Sequence, residues 1–459
     1  MTRAHPTPAA LDQLAAGTLA DPAAQRAIAR HLLRRCTVCT GYLRGATERA
    51  RADRRRSPLA PPAPKGRLEV ESYAEIVTHS LARSAGRRAA IAGDAVHVTA
   101  CWNLLAGTPP SRRLALVCAD PRFHQWALAV RLVETAADTA AGSPTAAREW
   151  CRLALAVAYR LPAQRYPASL VSDLRARARG RLADALRLEG RYAVARRAIA
   201  QAWLELEEGS GDPLERASLL CLEANLELTL GDFGAAARLL RPAAAVYRLY
   251  RQPGEEGRAL YHLALALGYE DPQRGAATAR RALARIDAAA EPNLDLAARH
   301  ALIWFLNDGG EERRALRLLG DARPLYRRLG ESDPDKLLPW LEARICRRLG
   351  EVAAAERGLT AVWHSFRGAG LRQELALVSL DLAEAFLAQG KRRHALRLLT
   401  TFQATLVHWR MHSEGLAAWL LLVRLVREAA AETSRAQALT QHAALYFRRA
   451  WRRRLPFRY

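Results

Sequence analysis

Lysine is nearly missing from this chain of 459 residues: Lys65, Lys336 and Lys391 are its three lysines, so its basic residues are almost all arginine. No apolar run is long enough to span a bilayer; the longest, around Leu416 to Val423, is about half the required length. The N-terminus lacks the charged, apolar and small-residue succession of a secretory signal. Seven cysteines, an odd number and mostly isolated, do not make a disulfide framework. Cys101, Cys118, Cys151, Cys221 and Cys346 sit on apolar helical faces and read as small core residues of a reducing compartment. No phosphate loop, dinucleotide fingerprint, nucleophile elbow or kinase signature occurs. His408 and His412 have the i,i+4 spacing of helical metal ligands, but Trp409 stands where a metalloprotease needs its glutamate base. These absences point to a cytoplasmic protein that is not an enzyme and has no transmembrane segment.

Half of the residues are apolar, enough for a sizeable core, and the formal net charge is +24. The charge is concentrated at the ends. Residues 1–66 carry twelve Lys and Arg against four Asp and Glu, and Arg448, Arg449, Arg452, Arg453, Arg454 and Arg458 close the chain with no acid among its last fifteen residues. Basic ends suit an acidic partner, whether nucleic acid, anionic lipid or an acidic protein surface. The same excess also follows from a general bias toward Arg and Ala, and the sequence leaves both readings open.

From about Ser172 to Gln403 a turn signal returns six times, roughly forty residues apart, at Gly190, Gly231, Asp271, Gly310, Gly350 and Gly390. Five positions later stands an alanine each time: Ala195, Ala236, Ala276, Ala315, Ala355 and Ala395. Seven positions earlier stand Ala183, Ala224, Ala264, Ile303, Ala343 and Ala383. Each unit reads as an apolar-striped helix, a tight turn and a second helix. Glycine fits the left-handed residue that ends a helix, and the small residues let two antiparallel helices approach closely. Such a pair has too little core alone and must stack on its neighbours. The third unit departs from the pattern, with Gly268 and Asp271-Pro272 at its turn. A last pair, Glu414–Arg427 and Ser434–Trp451, falls in phase without the glycine and would cap the array.

Residues 1–50 form a separate small helical unit, in which Asp21-Pro22 is an N-cap followed by proline at the first helical position. A basic, proline-rich linker at 51–66 follows, since the cluster from Ser57 to Pro64 cannot continue a helix. Residues 67–171 are a helical lead-in with irregular repeats, in which Pro121 opens a helix carrying Trp126, Leu128, Leu132 and Val133. The array occupies 172–412, and a capping pair with the Arg-rich tail occupies 413–459.

The Gly-Arg-Tyr at 190–192, the Gly-Asp-Phe at 231–233 and the small-residue columns resemble the tetratricopeptide repeat family, whose usual repeat of 34 residues is stretched here by longer helices or connections. The resemblance implies an all-α, right-handed superhelical solenoid whose first helices line a concave groove for a protein or peptide. Groove positions would then include Arg187, Asn225, Arg258, Tyr261, His300, Trp304, Asn307, Trp340, Arg344, Arg347 and Glu384. Arginine and aromatic side chains there suit an extended or acidic segment. Tyr261, Trp304 and Trp340 are equally read as core between repeats.

Cys36 and Cys39, two residues apart, can both reach one zinc ion, and His31 from the preceding helix with one further ligand would complete a tetrahedron. The arrangement resembles the zinc-binding anti-sigma domain, with one extra residue between His31 and Cys36. The resemblance implies His31, Cys36 and Cys39 as zinc ligands, His5 as the upstream candidate, and a transcription-related partner for this head. An alternative use of the chain is as a nucleic-acid-associated regulator. In that reading the C-terminal arginines, interleaved with Tyr446, Phe447, Trp451 and Phe457, contact phosphates and bases.

Overall fold

A computed structural model describes residues 98–452, except 330–333, 410 and 430–431, together with residues scattered through 5–42. The proline-rich linker at 51–66, Arg453, Arg454 and the first part of the helical lead-in, 67–97, lie outside the described residues. The chain divides into two compact units, Met1–Ala85 and Gly86–Tyr459. Among the described residues every regular element is a helix.

In the first unit, α1 (Pro8–Ala16) places Leu11 beside Ile28 and Cys39 in a small core, with Leu14, Leu19 and Tyr42 packed around it. Asp21 caps the following turn as its sequence position suggests, its carboxylate accepting from the Ala23 and Ala24 N–H groups at 2.8 and 3.2 Å. The Tyr42 hydroxyl donates to Asp12 of α1 at 2.9 Å, linking residues 30 positions apart.

The second unit begins with a helical stretch at 98–107, then α2 (Pro110–Ala119), α3 (Trp126–Thr139) and α4 (Pro144–Ala158). Pro121 opens only a short 3-10 turn ending at Phe123, capped by the Asp120 carboxylate, and the long helix starts at Trp126. Phe123 is thereby turned into the local core with Leu128, Leu132 and Val157.

Seven helix pairs follow. The first helices are α5 (Ala168–Leu188), α7 (Pro213–Leu230), α9 (Pro253–Gly268), α11 (Pro292–Asp308), α13 (Pro334–Arg348), α15 (Arg372–Ala388) and α17 (Ser413–Glu428). The second helices are α6 (Tyr192–Glu207), α8 (Phe233–Leu249), α10 (Pro272–Leu283), α12 (Glu312–Leu329), α14 (Val352–Ala369), α16 (Arg392–His408) and α18 (Thr433–Ala450). Each helix packs on the next along the chain, and successive first helices from α5 to α15 touch one another, which is the contact pattern of a stacked helical array.

All twelve small-column residues, six before the turns and six after, are at most 3% exposed, so they are the seams where paired helices meet. Five of the six turns use a left-handed glycine, with φ between 69° and 85° at Gly190, Gly231, Gly310, Gly350 and Gly390. The third turn solves the problem differently. Asp271 caps α10 by accepting from the Arg274 N–H at 3.0 Å, and Gly268 and Gly275 face each other so closely that a Cβ on Gly275 would lie 2.4 Å from the Gly268 Cα. The stretch from 34 to about forty residues goes into helix length: α7 and α8 run 18 and 17 residues, while the turns within the first six pairs stay at two or three.

The last pair departs from the rest. An in-phase cap would lay α18 on α17; instead α18 packs chiefly against α15. The reason lies in its sequence, because Ala436, Leu439, Thr440, Ala443, Phe447 and Ala450 are all buried, more apolar surface than one flanking helix covers. His412 fixes the start of the pair. Its Nδ1 accepts from the Gly415 N–H at 3.0 Å, and its Nε2 donates to the Ala450 carbonyl at 2.6 Å, binding the beginning of α17 to the end of α18. His412 therefore serves as a structural clasp.

Candidate functional site

The head brings His5, His31, Cys36 and Cys39 together, with one ligand atom from each all within 4.8 Å of one another. The Nδ1 of His5 stands 3.4 Å from the Cys36 sulfur and 3.5 Å from the Cys39 sulfur. A tetrahedral ion with metal–sulfur bonds of ~2.3 Å and metal–nitrogen bonds of ~2.0–2.1 Å sets sulfur–nitrogen edges of about 3.5 Å, so the spacing suits a shared ion. The His5 and His31 rings meet edge to face at 5.3 Å, and the buried His31 Nε2 has no hydrogen-bond partner. The Cys39 backbone N–H beside Cys36 holds that thiol below its ordinary pKa, with the Val38 N–H adding to the effect. Burial, then the neighbouring Cys36, raises the Cys39 pKa. A group of two histidines and two cysteines with one buried nitrogen lacking a partner can hold a metal ion. The extra residue between His31 and Cys36 does not prevent their meeting.

The other sequence-selected residues fall into two groups in the array. Arg187, Tyr261, His300, Trp304 and Trp340 line one cavity of about 480 Å³ on the inner face of the first helices. Arg187 donates to Asp184 at 2.8 Å and to the Thr229 hydroxyl at 3.1 Å. His300 shares a hydrogen bond of 2.7 Å between its Nδ1 and the Tyr326 hydroxyl, and burial lowers its pKa from 6.5 to about 4. Trp304 is 6% exposed, and its indole N–H has no hydrogen-bond partner.

Arg344, Arg347 and Glu384 instead belong to a buried polar cluster. Arg344 donates to Asp308 and Asp381, each at 2.6 Å, and stacks over Trp304 at 4.3 Å. Trp340 donates its indole N–H to Asp381 at 2.7 Å. Arg347 pairs with Glu384, which also accepts from Gln441 of α18 at 2.6 Å. Burial works against the Arg344 charge, but Asp308 and Asp381 outweigh it and its pKa rises; Arg344 and Arg347 in turn outweigh the effect of burial on Asp381 and hold it below the usual carboxylate range. Both arginines thus spend their charge inside the protein. Arg258 pairs with Glu291 and Glu255 at the half-exposed edge. Asn307 is fully buried with neither amide atom paired, and the Asn225 side-chain oxygen likewise has no partner.

Three tail arginines return to the inner face. Arg448 lies over the Tyr269 and Trp304 rings at 4.9 and 5.0 Å. Arg449 pairs with Glu270 at 3.3 Å. Arg452 donates to the Thr229 carbonyl at 3.1 Å and to the Gln373 side chain at 3.3 Å, and stands over Tyr192 at 5.5 Å. The approach is tight enough that a Cβ on Gly231 would lie 2.5 Å from the Arg449 carbonyl oxygen. Residue spacing did not reveal Asp308, Asp381, Phe233 or Tyr269 as partners of these groups. The available signal was α18 itself, whose buried apolar positions exceed what a terminal cap needs.

The fold defined by these contacts is an array of stacked helical hairpins. No protein-family model and no curated protein matches the chain. Among solved structures it is similar to aspartyl phosphate phosphatase F from Bacillus subtilis, with 13% identity and a TM-score of 0.45, over 67% of this chain and 70% of that chain. No described helix is long and apolar enough to cross a membrane.

Proposed function

We propose that the chain is a cytoplasmic, non-enzymatic interaction scaffold whose inner face binds a protein or peptide. Its head would hold a zinc ion and dock a transcription-related partner. The observation that carries the scaffold reading is the cavity, where Tyr261, His300, Trp304 and Trp340 converge from three first helices with room for a ligand. Its aromatic walls offer large contact area at low entropic cost, as peptide anchors require. Zinc suits the His2Cys2 donor set. Bound there it would cross-link His5, His31, Cys36 and Cys39 and supply folding energy to a unit with a very small core.

The nucleic-acid reading has less support, because Arg448, Arg449 and Arg452 are turned onto the array instead of projecting from it. A photo-crosslinking residue placed at Tyr261 in the native cell tests the scaffold reading, with the same residue at the exposed Leu249 as control. A discrete adduct from position 261 and none from position 249 supports it; equal labelling, or none, rejects it. Metal analysis of the purified chain tests the head, with one zinc per chain expected.

A further inference from the structure

We propose that the inner cavity is a binding site for an anionic group carried on an apolar body, and that the end of α18 and the residues just after it supply the two arginines, Arg448 and Arg452, that hold the anion. The inference deepens the scaffold reading and rests on it.

Three cations line the cavity, Arg187, Arg448 and Arg452, against one acid, Glu374. Asp184 answers Arg187 at 2.8 Å. No carboxylate answers the other two among the described residues: Arg448 meets only aromatic rings, and Arg452 meets a carbonyl, an amide oxygen and a ring. The neighbouring arginines behave differently. Arg344, Arg347 and Arg449 each have a carboxylate, in contrast to the two that line the cavity. Arg448 sits in the last turn of α18 and Arg452 just beyond its end, and both line the same cavity.

A planar guanidinium stacked on rings keeps its edge N–H groups for an in-plane acceptor, and carboxylate and phosphoryl oxygens match that fork. Trp304 adds an indole N–H without a partner in the same wall. Apart from Thr229 and Gln373 the rest of the lining is apolar or aromatic, including Phe233, Tyr261, Leu265 and Leu377, so a small inorganic anion would leave most of the cavity unfilled. The volume of about 480 Å³ suits a few residues of peptide or an organic acid of that size. Because Arg448 and Arg452 come from the C-terminal end of the chain and the walls chiefly from α7, α9, α11, α13 and α15, the site is complete only while α18 stays docked.

The test titrates the full chain with a dansylated tetrapeptide of apolar residues bearing a free C-terminal carboxylate, with its C-terminal amide, and with that amide carrying a phosphotyrosine. Saturable binding of the carboxylate or phosphotyrosine peptide is expected, and the stronger of the two identifies the anion. The plain amide should bind at least tenfold more weakly, and Arg448→Gln combined with Arg452→Gln should cost the anionic peptide at least tenfold. Circular dichroism and the thermal midpoint of that variant control for undocking of α18. If the midpoint falls, Arg448→Lys with Arg452→Lys, which keeps both charges, should restore binding. Equal binding of acid and amide would overturn the anion site yet leave the scaffold reading standing. So would unchanged affinity in the Gln variant. Absence of binding by all three peptides overturns the inference as well, while crosslinking at position 261 judges the scaffold reading separately.

Discussion

Among the described residues Leu11, Ile28 and Cys39 are the buried centre of the head, whereas in the array one continuous cluster runs from Ala264 to Ala450 and encloses Tyr326, Phe366, Phe402 and Trp419. With the proposed zinc in place, the two units would meet the same requirement by different chemistry. A few buried side chains at 25–30 cal/mol per Å² offset little of the ordering cost, and a metal joining His5, His31, Cys36 and Cys39 would make up the difference. In the array every helix pair adds burial against the pair before it. One unit would be held at a point and the other along a line.

The difference between the units predicts where each will break. Cys36→Ser with Cys39→Ser should give the largest effect: zinc stoichiometry near zero, loss of partner capture by the head, and no change in thermal unfolding of the array. Structural zinc is worth roughly 10–16 kcal/mol in small fingers, so the head should lose its fold outright. Retained capture in that variant would separate the metal from the head's function. In the array, Asp381→Ala should cost about 3–5 kcal/mol, since it strands the buried Arg344 and the Trp340 indole N–H. A denaturant midpoint measured with zinc content checks this, and the zinc should stay. Ala236→Leu, in a seam residue with no exposure, should cost about 1–3 kcal/mol by forcing α7 and α8 apart.

The last effect is in pH. Burial lowers the pKa of His262 and His300 from 6.5 to about 4, so the folded array keeps both neutral while the unfolded chain protonates first. Stability should be full above pH 6.5 and fall as pH drops toward 4, by at most about 1.4 kcal/mol per pH unit for each histidine. The slope should persist in the Cys36, Cys39 double variant and flatten in His262→Leu. A slope that vanished with the cysteines would place the acid lability in the metal group instead.

Much of the array was legible because its information is local. Gly190 and Ala195 need only their own hairpin to be read, and the same offsets recur wherever helices must turn and approach. The metal group was legible in part for a similar reason: Cys36 and Cys39 are neighbours, but His5 is 31 positions from Cys36 and joins it only through folding. Arg344 and Arg347 have the composition of a peptide clamp, and only their placement beside Asp308, Asp381 and Glu384 reveals internal ion pairs. Charge type is written in the chain, whereas charge compensation depends on what packs nearby.

The sequence by itself determined that this is a helical repeat protein with a Cys-bearing head, since period, turn residues and small columns act within one hairpin at a time. Tertiary structure alone decided the path of the C-terminal helix. Arg452 meets Thr229 across 223 positions of sequence, a contact no periodicity encodes, because it arises when α18 buries a second apolar face against α15 and carries its arginines onto the inner surface of the array.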